Sequence, residues 1–204
     1  MNNLRLGVLA SGRGSNLQAI MDAIDDGRLP AEVAVVISDC AGAKALERAR
    51  SRNIPAFHIN PAAFPHKGDY EEAVVDTLKK HAVELVCLAG YMRLVGPAML
   101  EAFPNRIMNI HPALLPAFPG LHAQQRALEY GVRYSGCTVH FVDEGMDTGP
   151  IILQAVVPVL PDDTPETLAD RILEQEHRIY PEAIALFAAG RLEIRGKRVY
   201  IKEG

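Results

Sequence analysis

Residues 4–16 read LRLGVLASGRGSN, and this stretch decides the fold that the sequence predicts. Its first seven residues are mostly apolar and favour a buried strand, which ends in a loop rich in glycine and serine. Apolar side chains then recur at helical spacing, at Leu17, Ile20, Met21 and Ile24. A strand that leads into a helix through a glycine loop is typical of the nucleotide-binding half of an α/β protein.

The same alternation of strand and helix patterns continues to about residue 110. Further strands are predicted at 33–37, 56–59, 85–89 and 106–110, and helices at 43–51, 69–81 and 97–102. Short β-branched and apolar runs separated by amphipathic helices favour a parallel sheet that is covered on both faces. We therefore predict an α/β fold with a doubly wound, mostly parallel central sheet and helices on both faces, similar to a Rossmann fold.

The second half of the chain has a different pattern. A proline-rich loop, LLPAFPG, is followed by a helix at 122–130, strands at 137–142 and 151–159, a long helix at about 165–189 and a hairpin at 191–201. Thr164 is the expected N-cap of the long helix. The residues between the two strands form a turn-rich segment, here named the acidic loop (143–150). We expect a single domain over residues 1–204, with halves at about 1–100 and 101–204.

Composition excludes several classes of protein. Apolar residues make up 49% of the 204 residues and the net charge is -4, which indicates a globular protein and disfavours a nucleic-acid partner. No apolar run approaches the roughly 20 residues of a membrane helix, and no signal-peptide core is present, so we expect a cytoplasmic protein. The three cysteines are widely spaced and no HxxxH pattern occurs, so no metal is expected.

The glycine loop predicts a site for a phosphate group. The N-terminus of a helix favours an anion, and glycines allow the backbone to approach it closely. Leu17 occupies the third glycine position of a dinucleotide fingerprint, and Arg13 stands where a P-loop has lysine. A monophosphate therefore fits better than a dinucleotide or ATP. The alternative is a tight turn that binds nothing.

An amide, an imidazole and a carboxylate form the candidate catalytic group. Asn109 and His111 are two residues apart at the end of a predicted strand, so their side chains project to the same side. Ligands bind at the carboxyl ends of such strands. Asp147, in the acidic loop, is expected to orient His111 and to raise its pKa, unless it only caps a turn. The three groups could polarise a carbonyl and move protons during acyl transfer.

The transfer is expected to be direct. No GxSxG motif is present, and none of the three cysteines has a neighbouring sequence that indicates activation. A covalent enzyme intermediate is therefore disfavoured.

These motifs resemble those of the formyltransferases that use 10-formyltetrahydrofolate. The resemblance rests on NIHP at 109–112 with LLP at 114–116, and on FPGLH at 118–122. The segments GRGSNLQA at 12–19 and GCTVHFVD at 136–143 are similar to those of the glycinamide ribonucleotide formyltransferases. The resemblance extends from about Leu4 to Phe187.

The resemblance implies a role for each matching residue. It implies transfer of a formyl group from 10-formyltetrahydrofolate to glycinamide ribonucleotide, in purine biosynthesis, by a monomer or weak homodimer. The implied catalytic residues are Asn109, His111 and Asp147. The implied ribonucleotide residues are Gly14, Ser15 and Asn16 at the phosphate and Glu176 at the amine. The implied folate residues are Lys67, Met92, Arg93, Leu94, Val95, Asn109, Asp143, Glu144, Gly145, Met146 and Asp147.

One departure from the family pattern and several alternatives stand beside this interpretation. Ala113 follows His-Pro where the family usually has serine, and we expect this change only to tune activity. Hydrolysis of formyltetrahydrofolate by the same three residues is the nearest alternative, but water needs no phosphate anchor. Formylation of methionyl-tRNA usually needs a further domain and a basic face. A non-catalytic nucleotide-binding module would leave the candidate catalytic group unused.

Overall fold

The computed structural model describes residues 3–203. The chain divides into two compact units, of which the first ends at Asn109 and the second begins at Ile110. The boundary falls inside a strand, between the residues Asn109 and His111 that the sequence singles out.

The first unit is built on parallel strands. They are β1 (Leu4–Leu9), β2 (Ala31–Ser38), β3 (Ala56–His58), β4 (Leu85–Leu88) and β5 (Ile107–His111). Each neighbouring pair is parallel, in the order β3-β2-β1-β4-β5. The side chains at the centre of β1, β2 and β4 are buried, which explains their continuous apolar sequences.

Helices connect these strands, as parallel pairing requires. They are α1 (Ser15–Asp25), α2 (Lys44–Ser51), α3 (Lys67–Lys80) and α4 (Pro97–Ala102), with a 3-10 turn at Pro61–Ala63. The apolar face of α1, including Leu17, Ile20 and Met21, is buried. Gly7 in β1 is required by packing, because a Cβ there would collide with the Leu78 side chain of α3.

The strand order creates a switch point between β1 and β4. The chain moves outward from β1 to β3 on one side and then returns to place β4 on the other side of β1. The crevice at the carboxyl ends of such a pair is where open α/β sheets bind ligands. Here it is bordered by the residues that follow β1, from Ser11, and those that follow β4, from Gly90.

The second unit has a mixed sheet. It contains α5 (Ala123–Tyr130), β6 (Tyr134–Phe141), β7 (Ile151–Pro158), α6 (Pro165–Ala188), β8 (Leu192–Arg195) and β9 (Arg198–Ile201). The pairs β6–β7 and β8–β9 are antiparallel, whereas β7–β9 is parallel. Helix α6 packs against β6 and β7. The acidic loop joins β6 to β7 and therefore lies at one end of this sheet.

The predicted α/β fold with a mostly parallel sheet is confirmed. Every predicted strand and helix is present, with ends that differ by up to three residues. Thr164 caps α6 as expected, because its side chain accepts a hydrogen bond from the Thr167 N–H at 3.3 Å. Among residues 3–203, no helix is both long and apolar enough to cross a membrane.

Candidate active site

The anion site that the sequence predicts in the glycine loop consists of backbone. Gly14 is the N-cap of α1 with φ 71°, a left-handed conformation, and a Cβ at this position would lie 2.8 Å from the Ala45 Cα. Glycine is therefore required on two grounds. The N-cap residue Gly14 makes no side-chain capping bond, so the first N–H groups of α1 and its dipole are suited to a bound anion. Ser15 begins the helix and the Asn16 side chain is buried.

Ser11 connects this loop to the segment after β4. Its hydroxyl donates to Asp39 Oδ1 at 2.6 Å and accepts from the Met92 N–H at 2.9 Å. The Ser11 N–H also donates to the Gly90 carbonyl at 3.0 Å. The sequence pattern places Ser11 in the glycine loop and indicates no further role for it. The structure shows that it also fixes the backbone of the predicted folate segment.

A pocket in the first unit gathers four of the predicted folate residues. Lys67, Arg93, Leu94 and Val95 line it, whereas Met92 does not and is 67% exposed. Sequence reasoning missed three polar lining residues, Tyr70, Glu71 and Tyr91. Two of them could have been found, because Tyr70 and Glu71 lie three and four residues after Lys67 and share its helix face.

These polar residues surround the guanidinium group of Arg93 in the pocket. The Tyr70 and Tyr91 hydroxyls are 2.7 Å apart, and the Arg93 guanidinium lies 5.2 Å from the centre of the Tyr70 ring. The Arg93 Nε atom is buried and has no hydrogen-bond partner among the described residues. Glu71 is held by the Gly96 N–H at 2.5 Å. The Arg93 N–H is therefore available to an acceptor on a bound molecule.

Asn109 and His111 lie on the same strand, β5, as the sequence predicted. Asn109 is partly exposed, whereas His111 is 5% exposed. Their separation of two residues places their side chains on the same side of the strand.

His111 has a protein acceptor near each ring nitrogen. Nε2 donates to the Phe118 carbonyl at 2.9 Å, and Nδ1 lies 3.4 Å from Asp147 Oδ2. Burial lowers the pKa of His111 below its ordinary value and outweighs the Phe118 hydrogen bond and the Asp147 charge, which both raise it. Asp147 therefore raises this pKa as expected, but desolvation is the larger effect and sets the net direction.

Asp147 lies between two buried histidines. Its Oδ2 accepts from the Gly120 N–H at 2.7 Å, and its Oδ1 lies 3.7 Å from Nε2 of His140. Burial would raise the pKa of Asp147, but His140, the Gly120 N–H and His111 together lower it to about 2. Asp147 is therefore ionised at neutral pH. A turn cap would be solvated, whereas this side chain is 13% exposed.

His140 is the main residue near Asp147 that sequence reasoning missed. It is 2% exposed, and its Nδ1 lies 2.8 Å from the Phe141 carbonyl. It belongs to the GCTVHFVD segment, but a buried position near the end of β6 is equally typical of a core residue. Only the approach of Asp147 distinguishes it.

The acidic loop is closed by its own side chains. Asp143 Oδ1 accepts from the Gly145 N–H at 3.1 Å and from the Thr148 hydroxyl at 2.5 Å. Asp147 adopts φ 56°, in the left-handed region. Glu144, Gly145 and Met146 are exposed at the loop tip. Their role in folate binding remains a prediction, and the described contacts do not join them to the Asp147 carboxylate.

Glu176 lies on the buried face of α6 and is 7% exposed, whereas Glu174 is exposed. A solvated helix face would expose both residues. Burial raises the pKa of Cys137 in β6 to about 12, and the charge of Glu176 contributes to this rise. Glu176 therefore places a carboxylate against β6, which favours the predicted interaction with an amine over a solvated role.

Ala113 lies in a well-fixed loop. Its side chain is fully buried, and its carbonyl accepts from the Thr138 hydroxyl at 2.7 Å. The same hydroxyl accepts from the Leu115 N–H at 3.1 Å and from Gln154 at 3.0 Å. The backbone beside His111 is therefore held by Thr138. Among the described residues, no group of three or more His, Cys, Asp or Glu side chains is arranged so that it could hold a metal ion.

Comparisons with known proteins identify the family of the chain. Residues 4–184 match the formyl transferase family. The chain is 46% identical over 180 residues to the phosphoribosylglycinamide formyltransferase of Bacillus subtilis, covering 88% of this chain and 92% of that enzyme. It is 50% identical over 190 residues to the trifunctional purine biosynthetic protein adenosine-3 of Drosophila pseudoobscura pseudoobscura, covering 92% of this chain. The match spans only 14% of the length of that larger protein.

Solved structures give the same result. The glycinamide ribonucleotide transformylase 1 of Symbiobacterium toebii superposes with a TM-score of 0.98 at 61% identity, covering 99% of this chain and 95% of that one. A formyltetrahydrofolate deformylase from Pseudomonas syringae superposes with a TM-score of 0.90 but at 25% identity, covering 98% of this chain and 66% of that one. The fold is thus common to a transferase and a deformylase, and sequence identity is higher with the transferase.

Proposed function

The chain belongs to the formyl transferase family, and we propose that it transfers the formyl group of 10-formyltetrahydrofolate to the amine of glycinamide ribonucleotide. One observation carries the proposal. The buried Asp147 carboxylate approaches His111 at 3.4 Å in a chain that is 46% identical to a phosphoribosylglycinamide formyltransferase over 92% of that enzyme. Formyl folate is the co-substrate, and the reaction serves de novo purine biosynthesis.

The ribonucleotide phosphate is proposed to bind at Gly14, Ser15 and Asn16. The left-handed Gly14 opens the start of α1, so that backbone N–H groups and the helix dipole favour the phosphate. Glu176 is proposed to contact the amine of the substrate. Its position on the buried face of α6, close enough to β6 for its charge to raise the pKa of Cys137, supports this role over that of a solvated helix residue.

The folate is proposed to contact the 92–95 segment, Lys67 and the acidic loop. Lys67 and Arg93 are cationic and line one pocket, and a carboxylate of the folate tail would satisfy the buried Arg93 N–H. Leu94 and Val95 offer apolar surface in the same pocket. Met92 is exposed, so its proposed contact depends on surface accessible from solvent.

The proposed chemistry is direct formyl transfer. The amine nitrogen attacks the formyl carbon and forms a tetrahedral intermediate, whose oxyanion is stabilised by Asn109 and His111. The attacking nitrogen loses a proton, N10 of the folate gains one, and the bond between N10 and the formyl carbon breaks. Holding both substrates in line supplies up to roughly 7–11 kcal/mol of the barrier reduction.

His111 and Asp147 have linked roles in this proposal. The carbonyl of Phe118 only accepts, so the Nε2 proton is already engaged, and it must leave that carbonyl to reach an oxyanion. When the ring carries both protons, Nδ1 donates to Asp147, and this bond keeps the ring in place while the exchange occurs. With a water molecule, Asp147 can also accept the proton that the amine releases.

Hydrolysis is the reaction that most needs to be separated from transfer, since a deformylase shares the fold. The decisive assay follows absorbance as formyl folate is consumed, with and without glycinamide ribonucleotide. Consumption only with the ribonucleotide, and formation of its formyl product, supports the proposal. Equal consumption without it makes the protein a hydrolase and leaves the glycine loop as a structural turn.

A further inference from the structure

The C-terminal hairpin contains a lysine that the proposed function does not use. Lys197 follows Gly196 at the turn between β8 and β9. Its ammonium donates to Asp143 Oδ2 at 2.8 Å and to the Thr148 carbonyl at 2.9 Å. Both acceptors belong to the acidic loop, about fifty residues earlier in the chain. The hairpin is thereby attached to the loop that carries Asp147.

The two contacts hold opposite ends of the loop. Asp143 is already joined to Thr148 through Oδ1, so Lys197 occupies its second oxygen and adds a bond to the Thr148 backbone. Partial burial would raise the pKa of Asp143, but the hydrogen bonds from Lys197, Thr148 and the Gly145 N–H keep it below its ordinary value. Asp143 is thus an ionised acceptor at neutral pH.

Asp147 needs such support because of its backbone conformation. It is a non-glycine residue at φ 56°, which is disfavoured unless the surrounding structure fixes it. Thr148, directly after it, is held by Asp143 and Lys197. Gly149 packs so closely against the Phe141 carbonyl that a Cβ would collide with it. The residues that follow Asp147 are therefore fixed on two sides.

Other charged residues of the hairpin make bonds within it. Lys202 pairs with Glu193 at 3.5 Å and Arg195 pairs with Glu193 at 2.7 Å. These pairs are exposed, as is Lys197, so all three are expected to add little to global stability. Lys202 pairs within the hairpin, whereas Lys197 contacts the acidic loop. Lys202 is therefore a matched control for Lys197.

We propose that Lys197 is a positioning residue that holds the acidic loop, and with it Asp147, in the arrangement that binds formyl folate. This inference rests on the proposed function for the identity of the ligand. The restraint on the loop itself does not depend on any substrate. Lys197 acts through Asp143 and Thr148 and does not touch the reacting atoms.

The test compares Lys197→Gln with Lys202→Gln and wild type. Hydrogen exchange of the amides at 144–148 is measured by mass spectrometry without substrate, and kcat and KM are measured for both substrates. We expect Lys197→Gln to accelerate exchange in this loop several-fold and to raise KM for formyl folate about five-fold, with KM for the ribonucleotide unchanged. Lys197→Arg should keep the loop exchange rate and the KM for formyl folate close to the wild-type values. Lys202→Gln should match wild type.

Salt provides an independent arm of the same test. At about 1 M salt the Debye length is roughly 3 Å, so the wild-type loop should exchange nearly as fast as that of Lys197→Gln. Loop exchange that is equal in Lys197→Gln and wild type at low salt overturns the proposal, as does an equal effect of Lys202→Gln. Altered exchange without any change in KM for formyl folate also overturns it.

These outcomes are separable from failure of the proposed function. If wild type transfers formyl groups but the loop exchanges equally in all variants, the function stands and the role of Lys197 falls. If wild type transfers no formyl group but the loop responds to Lys197→Gln, the proposed function fails. The claim about folate binding then falls with it, while the loop restraint is retained.

Discussion

The two units of the molecule position their candidate functional groups in different ways. In the first unit, the proposed phosphate site consists of backbone, with a left-handed Gly14 as the N-cap of α1. In the second unit, Asp147 is positioned by side chains and loop backbone from His111, Gly120 and His140. A backbone site needs one local sequence pattern, whereas a side-chain site needs several distant segments to meet.

This difference predicts how each region responds to substitution. Changes in the backbone site should alter folding and ribonucleotide affinity together, because the same peptide groups serve both. Changes around Asp147 should alter turnover with little effect on ribonucleotide affinity. The four predictions below test this contrast.

The largest effect is expected at Asp147. Asp147→Asn keeps the shape and an acceptor for the Gly120 N–H but removes the charge beside His111. We expect kcat to fall about 1,000-fold, while ribonucleotide affinity measured by calorimetry is retained. The exposed Asp162→Asn is the control and should match wild type. Turnover near the wild-type value would remove Asp147 from the mechanism.

The backbone site gives the next largest effect, through a comparison of two glycines. Gly14→Ala places a Cβ at φ 71° and 2.8 Å from the Ala45 Cα, so it should destabilise folding by about 2–3 kcal/mol. We also expect KM for the ribonucleotide to rise at least about ten-fold. Gly12→Ala has no atom within 4 Å of the new Cβ and should be tolerated. If chemical denaturation shows that both variants lose the same unfolding free energy, this account is wrong.

Stability against pH should report the charge on Asp147. Its folded pKa of about 2 lies below its ordinary value of 3.8, so the folded state stabilises the ionised form. The contribution, roughly 2 kcal/mol, should be fully present above pH 5 and should be lost as the pH falls toward 2. The measurement is the difference in unfolding free energy between wild type and Asp147→Asn across this range. A difference that does not change with pH would argue against an ionised Asp147.

The smallest effect is expected at His140. His140→Gln removes the ring nitrogen that lies 3.7 Å from Asp147 Oδ1, so it should weaken the orientation of that carboxylate. We expect about a ten-fold fall in kcat and a shifted pH profile, without a change in KM for the ribonucleotide. His81→Gln is the control, since the His81 ring is bonded to the Thr77 carbonyl and to no carboxylate in the described contacts. The same change in both variants would assign His140 a purely structural role.

The sequence predicted the strands and helices of both units, but it predicted fewer of the side-chain contacts in the second unit than in the first. The family resemblance and the α/β fold are confirmed by the match to residues 4–184 and by named relatives that are formyltransferases. The roles of individual residues, the oligomeric state and the single-domain description remain predictions. Tyr91 and His140 were missed because each acquires its partner only through packing.

The sequence by itself determined the features that depend on neighbouring residues. The strand–glycine–helix segment at 4–16 specifies a left-handed turn and an open helix start, since only glycine fits the backbone at residue 14. The pair Asn109 and His111 lies on one side of β5 because strand side chains alternate. Such rules act over a few residues and can be applied to a sequence directly.

Tertiary structure decided the electrostatics of the site and the attachment of its loop. The sign of the pKa shift at His111 depends on burial outweighing a nearby carboxylate, and burial depends on the whole fold. Lys197 reaches Asp143 only because the C-terminal hairpin pairs with β7. Desolvation and long-range side-chain contacts are set by packing, so no local pattern in the sequence contains them.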